Sequence, residues 1–386
     1  MFSAISGTWF AIINHNCMPF YPFLIRPILF LFDPEWIHHN TLAVSGILGR
    51  VEPTRALLRS MFVFDDARLN IQVGDLYFPN PVGLAGGFDK NGVAVEGLAA
   101  AGFGFVEVGS VSAYASQGNP ERPRLFRVPK DDAIVVYYGV PNDGAEVVAE
   151  RLKQVRLPVP LGINLVETNT GVPIKADQVV EELILAMKPF LGIADYVTLN
   201  LNCPNTSGGH SPFDTADNLR TLLEGYAQYG NMPATFVKIV PTDDPAKIDR
   251  TLTAIDPFPF VKGIIFGLPT GKPYTGLNTP TNELDRMPGT LCGRPVKTLA
   301  NEAIRAWYPR LDHTRHILVG VGGIFTAEDV YEKIRLGATL VQLYTALIYH
   351  GPGLVRTINQ GLCRLLERDG HRHLSEAVGV DNTVRL

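Results

Sequence analysis

Eight short, almost purely apolar runs, at residues 81–85, 105–109, 161–165, 196–201, 235–240, 263–267, 317–322 and 340–345, recur along this chain with helical stretches between them. None alternates apolar with polar residues, so each reads as a strand buried on both faces, the pattern of a parallel sheet. Amphipathic segments follow them, for example at 93–101, 176–190, 217–226, 326–336 and 354–366. Eight β-then-α units in 386 residues predict a (β/α)8 TIM barrel, which takes about 250 residues plus insertions. A doubly wound open sheet is the competing arrangement; against it, no G-x-G-x-x-G follows the first run. A hairpin over 71–78, turning at Gly74-Asp75, precedes the first strand.

In such barrels chemistry sits on the loops at the C-terminal strand ends. The first run ends in Ala85-Gly86-Gly87-Phe88-Asp89-Lys90, the third in Asn164, the fourth in Asn200-Leu201-Asn202-Cys203-Pro204-Asn205-Thr206 and the fifth in Lys238. The seventh ends in Gly320-Val321-Gly322-Gly323 and the eighth in Tyr344-Thr345. Glycines there let backbone N–H groups approach an anion, and the phosphate site of these barrels is commonly built after strands seven and eight. A phosphate-bearing cofactor is therefore expected; glycines serving only a tight turn are the plainer explanation. Lys90 and Lys238 end nearly apolar strands and need an anion, such as a reduced flavin, a substrate carboxylate or a structural salt-bridge partner. Cys203 lies among asparagines rather than in an apolar core, a setting suited to a thiol acting as general base.

The surplus apolar surface is N-terminal. Over residues 8–32, seventeen of twenty-five residues are hydrophobic, seven of them aromatic, and Arg26 is the only charge. Asn14-His15-Asn16, Pro19, Pro22, Arg26 and Pro27 interrupt the run, which therefore does not read as the ~20-residue unbroken span a bilayer requires. A signal peptide is also disfavoured, because no Lys or Arg precedes it. Asp33-Pro34-Glu35 supplies an N-cap, a proline at the first helical position and a first-turn acid, so a second helix is expected to about Leu48. Such a helix pair fits either a segment lying in a membrane interface or a lid packed on the main domain. The division is then an apolar helical extension over 1–50 and a barrel over 51–386.

Other partners are excluded by composition and spacing. Lys and Arg number 34 against 38 Asp and Glu, without the basic excess that nucleic-acid binding needs. Cys17, Cys203, Cys292 and Cys363 are far apart, and the close histidines, His38-His39 and His313 with His316, read as surface or capping residues rather than metal ligands.

In this order the residues resemble the dihydroorotate dehydrogenases, FMN enzymes on a (β/α)8 barrel. The motifs are Asn80-Pro81-Val82-Gly83-Leu84-Ala85-Gly86-Gly87-Phe88-Asp89-Lys90, Gly102-Phe103-Gly104-Phe105-Val106-Glu107-Val108-Gly109-Ser110-Val111, Gly118-Asn119-Pro120 and Pro123-Arg124-Leu125-Phe126-Arg127. The N-terminal stretch resembles the membrane-associating helix pair of the quinone-linked branch. This implies a quinone acceptor and a peripheral protein on the cytoplasmic face of the cell inner membrane. The resemblance further implies that Ala85, Gly86, Gly109 and Ser110 line the flavin with Asn164 and Asn200 beside it, and that Lys238 pairs with its ring. Gly293, Gly322, Gly323, Tyr344 and Thr345 would hold the ribityl phosphate. Lys90, Asn200, Asn205 and Thr206 would bind substrate, with Cys203 as the base where this branch usually has serine.

The departures concern the substrate. The family clamps a pyrimidine with four asparagines, two of them in loops that read here Tyr138-Gly139-Val140-Pro141 and Gly267-Leu268-Pro269-Thr270. Asn142, one place late, is the candidate replacement for the first. Glu167 stands where lysine is usual, and Thr290 with Cys292 alter a Gly-Gly-Leu-Ser-Gly loop. The expected function is FMN-dependent oxidation or reduction of a C–C bond beside a carbonyl, in a small carboxylated substrate other than dihydroorotate. The alternatives are a genuine quinone-linked dihydroorotate dehydrogenase and a non-catalytic flavin-binding protein.

Overall fold

The structure, a computed structural model, describes residues 20–172, 175–201, 213 and 216–382. Thirteen strands are described: β1 Ile71–Val73, β2 Leu76–Phe78, β3 Val82–Leu84, β4 Phe105–Val111, β5 Leu125–Val128, β6 Ala133–Val136, β7 Leu161–Leu165, β8 Tyr196–Asn200, β9 Ala234–Ile239, β10 Val261–Phe266, β11 Thr290–Gly293, β12 Ile317–Val321 and β13 Ala338–Leu343. Eight of them, β3, β4, β7, β8, β9, β10, β12 and β13, close in that order into a parallel barrel, as the eight apolar runs predict. Their residues are nearly all buried, because side chains fill the barrel inside while helices cover it outside. The amphipathic segments form helices where expected, among them Ala176–Met187, Ala216–Ala227, Ala327–Leu336 and Leu354–Asp369. Thr326 caps the third of these, its hydroxyl accepting from the Asp329 N–H.

β1 and β2 form the expected hairpin, with Gly74 at φ +56 in its turn. A three-stranded antiparallel sheet, in the order β11-β6-β5, was not expected from the apolar periodicity. It is assembled from the insertions after β4 and β10 and rises beside the barrel mouth.

Helix Pro34–Arg50 starts where the capping residues indicate, the Asp33 carboxylate accepting from the Trp36 N–H at 2.8 Å. It crosses helix Val95–Ala100 so closely that a Cβ at Gly49 would lie 2.2 Å from the Gly97 nitrogen, and one at Gly97 2.2 Å from the Ser45 oxygen. Glu35 anchors the other end in a buried ion pair with Arg124, which Arg122 joins at 3.0 Å. Upstream, Tyr21–Ile25 and Arg26–Leu29 form short helical turns, tied down by Tyr21 Oη donating to the Ile348 oxygen at 3.0 Å. Residues 1–19 of the apolar stretch lie outside the described residues. Among the described residues no helix is long and apolar enough to cross a membrane.

Candidate active site

The eight parallel strands bring their C-terminal ends to one mouth, and a cavity opens there. Ala85, Gly86 and Lys90 reach it from the end of β3, Ser110 from β4, Asn200 from β8 and Lys238 from β9. Gly293 joins from β11, Gly322 and Gly323 from beyond β12, and Tyr344 with Thr345 from beyond β13. Gly109 and Asn164 do not themselves line the cavity. Gly109, at φ +121, approaches β7 so closely that a Cβ would lie 2.4 Å from the Asn164 oxygen. Cys203, Asn205 and Thr206 lie outside the described residues.

Consecutive positive-φ glycines shape the cavity's far end. Gly322 and Gly323 have φ of +96 and +69, and a Cβ on Gly323 would lie 2.3 Å from the Lys297 Cβ. Only glycine fits, and the turn leaves backbone N–H groups accessible to an anion.

The floor is polar, and its hub was missed in the sequence. Glu107, fully buried on β4, accepts from Asn164 Nδ2 at 2.7 Å, Gln342 Nε2 at 2.8 Å, Thr198 Oγ1 at 2.9 Å and Tyr196 Oη at 3.3 Å. The Lys238 ammonium stands 3.8 Å from it, so this lysine already has an anion within the protein. Above the hub, Ser110 donates to Asn164 Oδ1 at 2.5 Å and accepts from Asn200 Nδ2 at 3.1 Å. Gln342 lines the cavity, and its Oε1 is buried without a hydrogen-bond partner among the described residues. The available signals were one acid inside an apolar strand and one glutamine inside another.

One wall is apolar. Val136, Val140, Leu268 and Pro269 line it, with Cys292 from β11 beside them. Val140 holds φ +58, an outlying conformation for a β-branched residue. Asn142 does not replace the missing asparagine: its Nδ2 donates to Ser112 Oγ and the Val140 oxygen, and its Oδ1 accepts from the Ser112 and Gly144 N–H groups. All four of its hydrogen-bonding positions are used away from the cavity. Burial raises the Cys292 thiol to about 12, so it stays protonated at neutral pH.

Lys90 donates to the Gly87 oxygen at 2.7 Å and sits 4.2 Å above the Tyr138 ring. Behind it His38 packs edge-on against Phe88 at 5.1 Å. Burial first, then the positive charges of Lys90 and His39, lower the His38 imidazole to about 3, so it is neutral at physiological pH. His38, expected at the surface, is thus half-buried with its ring packed among Phe88, Tyr138 and Tyr344. His316, also expected at the surface, is buried, with Nε2 3.1 Å from Asp256.

Fold and cavity together define a (β/α)8 barrel with a cavity at its mouth whose glycine turn suits a phosphate-bearing cofactor. The family model described as dihydroorotate dehydrogenase matches residues 68–366. A quinone dihydroorotate dehydrogenase of Halobacterium salinarum is 39% identical over 360 residues, covering 93% of this chain and 99% of that protein. That of Roseiflexus sp. is 37% identical over 368 residues, covering 92% and 97% respectively. A crystal structure of the Eimeria tenella DHODH in complex with ferulenol aligns with a TM-score of 0.77 at 28% identity, covering 91% of this chain and 96% of that one. The chain belongs to the dihydroorotate dehydrogenase family.

Proposed function

We propose that this chain is an FMN-dependent, quinone-linked dehydrogenase acting on a CH–CH bond beside a carbonyl, in a small carboxylated substrate other than dihydroorotate. The cavity's residues fit FMN: the Gly322-Gly323 turn suits a phosphate, and the floor offers its ring the Lys238 cation and the orphaned Gln342 Oε1. Bound FMN supplies hydride exchange. The chain's own groups do the rest. Lys90 holds the substrate carboxylate, and Cys203 takes or returns the proton on the carbon next to the carbonyl.

The observation that carries the substrate claim is the apolar wall of Val140, Leu268 and Pro269, with Asn142 fully occupied elsewhere. A dihydroropyrimidine ring seated there would bury amide groups without partners. Two unpaired groups at about 1–3 kcal/mol each correspond to a loss of roughly 30-fold to 10⁴-fold in turnover efficiency. Dihydroorotate itself is the alternative, supported by the activity for which the relatives are named. Anaerobic bleaching of the bound flavin by dihydroorotate, compared with other small carboxylates, separates the two.

We assign the apolar extension over 1–50 to contact with a membrane surface, on the cytoplasmic side of the inner membrane, where a quinone would be met. Supporting this are the exposed Phe23 at 77% and Leu31 at 82%, with Phe20, Leu24, Ile28 and Trp36 exposed beside them. Cosedimentation with phospholipid vesicles is expected for the wild type and lost, by about tenfold or more, in Phe23→Glu/Leu31→Glu. Equal pelleting of both proteins would remove this assignment.

A further inference from the structure

Resting on the flavin reading above, we propose that Glu107 is the positioning residue of the cofactor floor: it fixes which way each hydrogen bond beneath the flavin points, and it balances the charge of Lys238. Five donor groups converge on its carboxylate, from Asn164, Gln342, Thr198, Tyr196 and Lys238. A carboxylate only accepts, so each neighbour must turn a hydrogen towards it. The consequences propagate upward to the cavity.

Because Asn164 Nδ2 faces Glu107, its Oδ1 faces Ser110, whose hydroxyl must donate to it. The Ser110 oxygen is then left to accept, and it takes a hydrogen from Asn200 Nδ2. On the other side, Gln342 Nε2 is held by Glu107, which leaves the buried Oε1 of this cavity-lining residue as an acceptor unpaired among the described residues. Neither amide is free to flip, since a flip would set an amide oxygen against the carboxylate. Gln342 is thereby held with that unpaired acceptor beside the cavity, and Glu107 decides that it is an acceptor rather than a donor. Gly86 is part of the same device: a Cβ there would lie 2.6 Å from Glu107 Oε1, so glycine lets the cavity lining pass directly over the buried acid.

The charge argument fixes a direction. A reduced flavin gains electron density near its N1 position, which Lys238 alone would strongly favour. With Glu107 3.8 Å from Lys238, the pair is close to neutral, and the reduced cofactor is not held so tightly that its electrons cannot pass on to a quinone. Replacing Glu107 by glutamine removes that negative charge from a fully buried position and takes from Lys238 its nearby counter-charge.

The test uses the full-length holoprotein, titrated spectroelectrochemically with and without the Glu107→Gln substitution. The variant should bind reduced FMN relative to oxidised FMN about tenfold or more tightly than the wild type, a positive shift of about 30 mV in midpoint potential for the two-electron couple. A merely structural role would weaken both forms alike and leave the potential in place. Should Glu107→Gln fail to fold, Gln342→Leu reports on the same floor: it removes the acceptor held by Glu107 and should lower FMN affinity about tenfold or more. A yellow protein whose potential in Glu107→Gln stays within about threefold of the wild-type ratio overturns the role of Glu107 alone. So does unchanged FMN affinity in Gln342→Leu where the first variant does not fold. A wild-type protein that binds no FMN overturns the flavin reading and this inference together.

Discussion

Cys203→Ala is expected to lower substrate-driven flavin bleaching by about 10²–10⁴-fold while FMN stays bound with its absorption spectrum intact. The reason is positional and chemical. Cys203 follows strand β8, whose last residue Asn200 lines the cavity, and a hydride can leave the substrate carbon only as the proton on its neighbour is taken. A thiol serves as base in its deprotonated form, so the rate should rise with pH. Cys203→Ser restores the residue usual in the quinone-linked branch and should retain part of the rate with an altered pH profile. Unchanged bleaching in Cys203→Ala, measured by anaerobic stopped flow, would assign the base to another group.

Arg124→Ala should cost about 3–5 kcal/mol of stability, enough to release helix Pro34–Arg50 from the barrel. Glu35 and Arg124 are both almost fully buried, and removing Arg124 leaves the buried Glu35 charge with only the largely exposed Arg122, at 3.0 Å, to balance it. Arg124 also donates to the Gln117 oxygen at 2.8 Å and the Asn119 oxygen at 3.2 Å, so the loop over residues 117–119 loses its tether as well. The Arg124 guanidinium lies 5.4 Å from the Tyr138 ring, on which Lys90 stacks. A weakened N-terminal anchor should therefore raise KM for a carboxylated substrate as well as lower the urea midpoint. Replacing both members with leucine restores neutrality and is expected to recover most of the stability. Equal stability of wild type and Arg124→Ala in urea unfolding would show that the pair does not hold the helix.

The barrel was legible because buried parallel strands carry a composition that few other elements share. Runs such as Leu161–Leu165 and Tyr196–Asn200 needed no partner to be recognised. Helix Pro34–Arg50 was legible from its capping residues, since the Asp33 side chain acts locally. The sheet β11-β6-β5 was not, because β11 joins β6 from about 150 residues further along the chain and the local pair β5 and β6 is too short to declare a period. The same division runs through the site. Residues at strand ends, such as Lys90 and Lys238, announce themselves by polarity in apolar surroundings. Glu107, His38 and Gln342 acquire their roles only when separate strands and the N-terminal helix converge. Asn142 shows the reverse: one position from a family clamp in sequence, it is committed in space to Ser112, Val140 and Gly144.

The central claim is that an intact flavin site faces an altered substrate wall. Its most direct test is anaerobic mixing of the yellow holoprotein with dihydroorotate and with a panel of small carboxylates less polar at the ring. Dihydroorotate should bleach the flavin roughly 30-fold to 10⁴-fold less efficiently than the best member of the panel if the wall of Val140 and Leu268 leaves its amides unpaired, as proposed. Bleaching by dihydroorotate that matches or exceeds every other compound would contradict the claim and make this chain a dihydroorotate dehydrogenase in activity as well as in family.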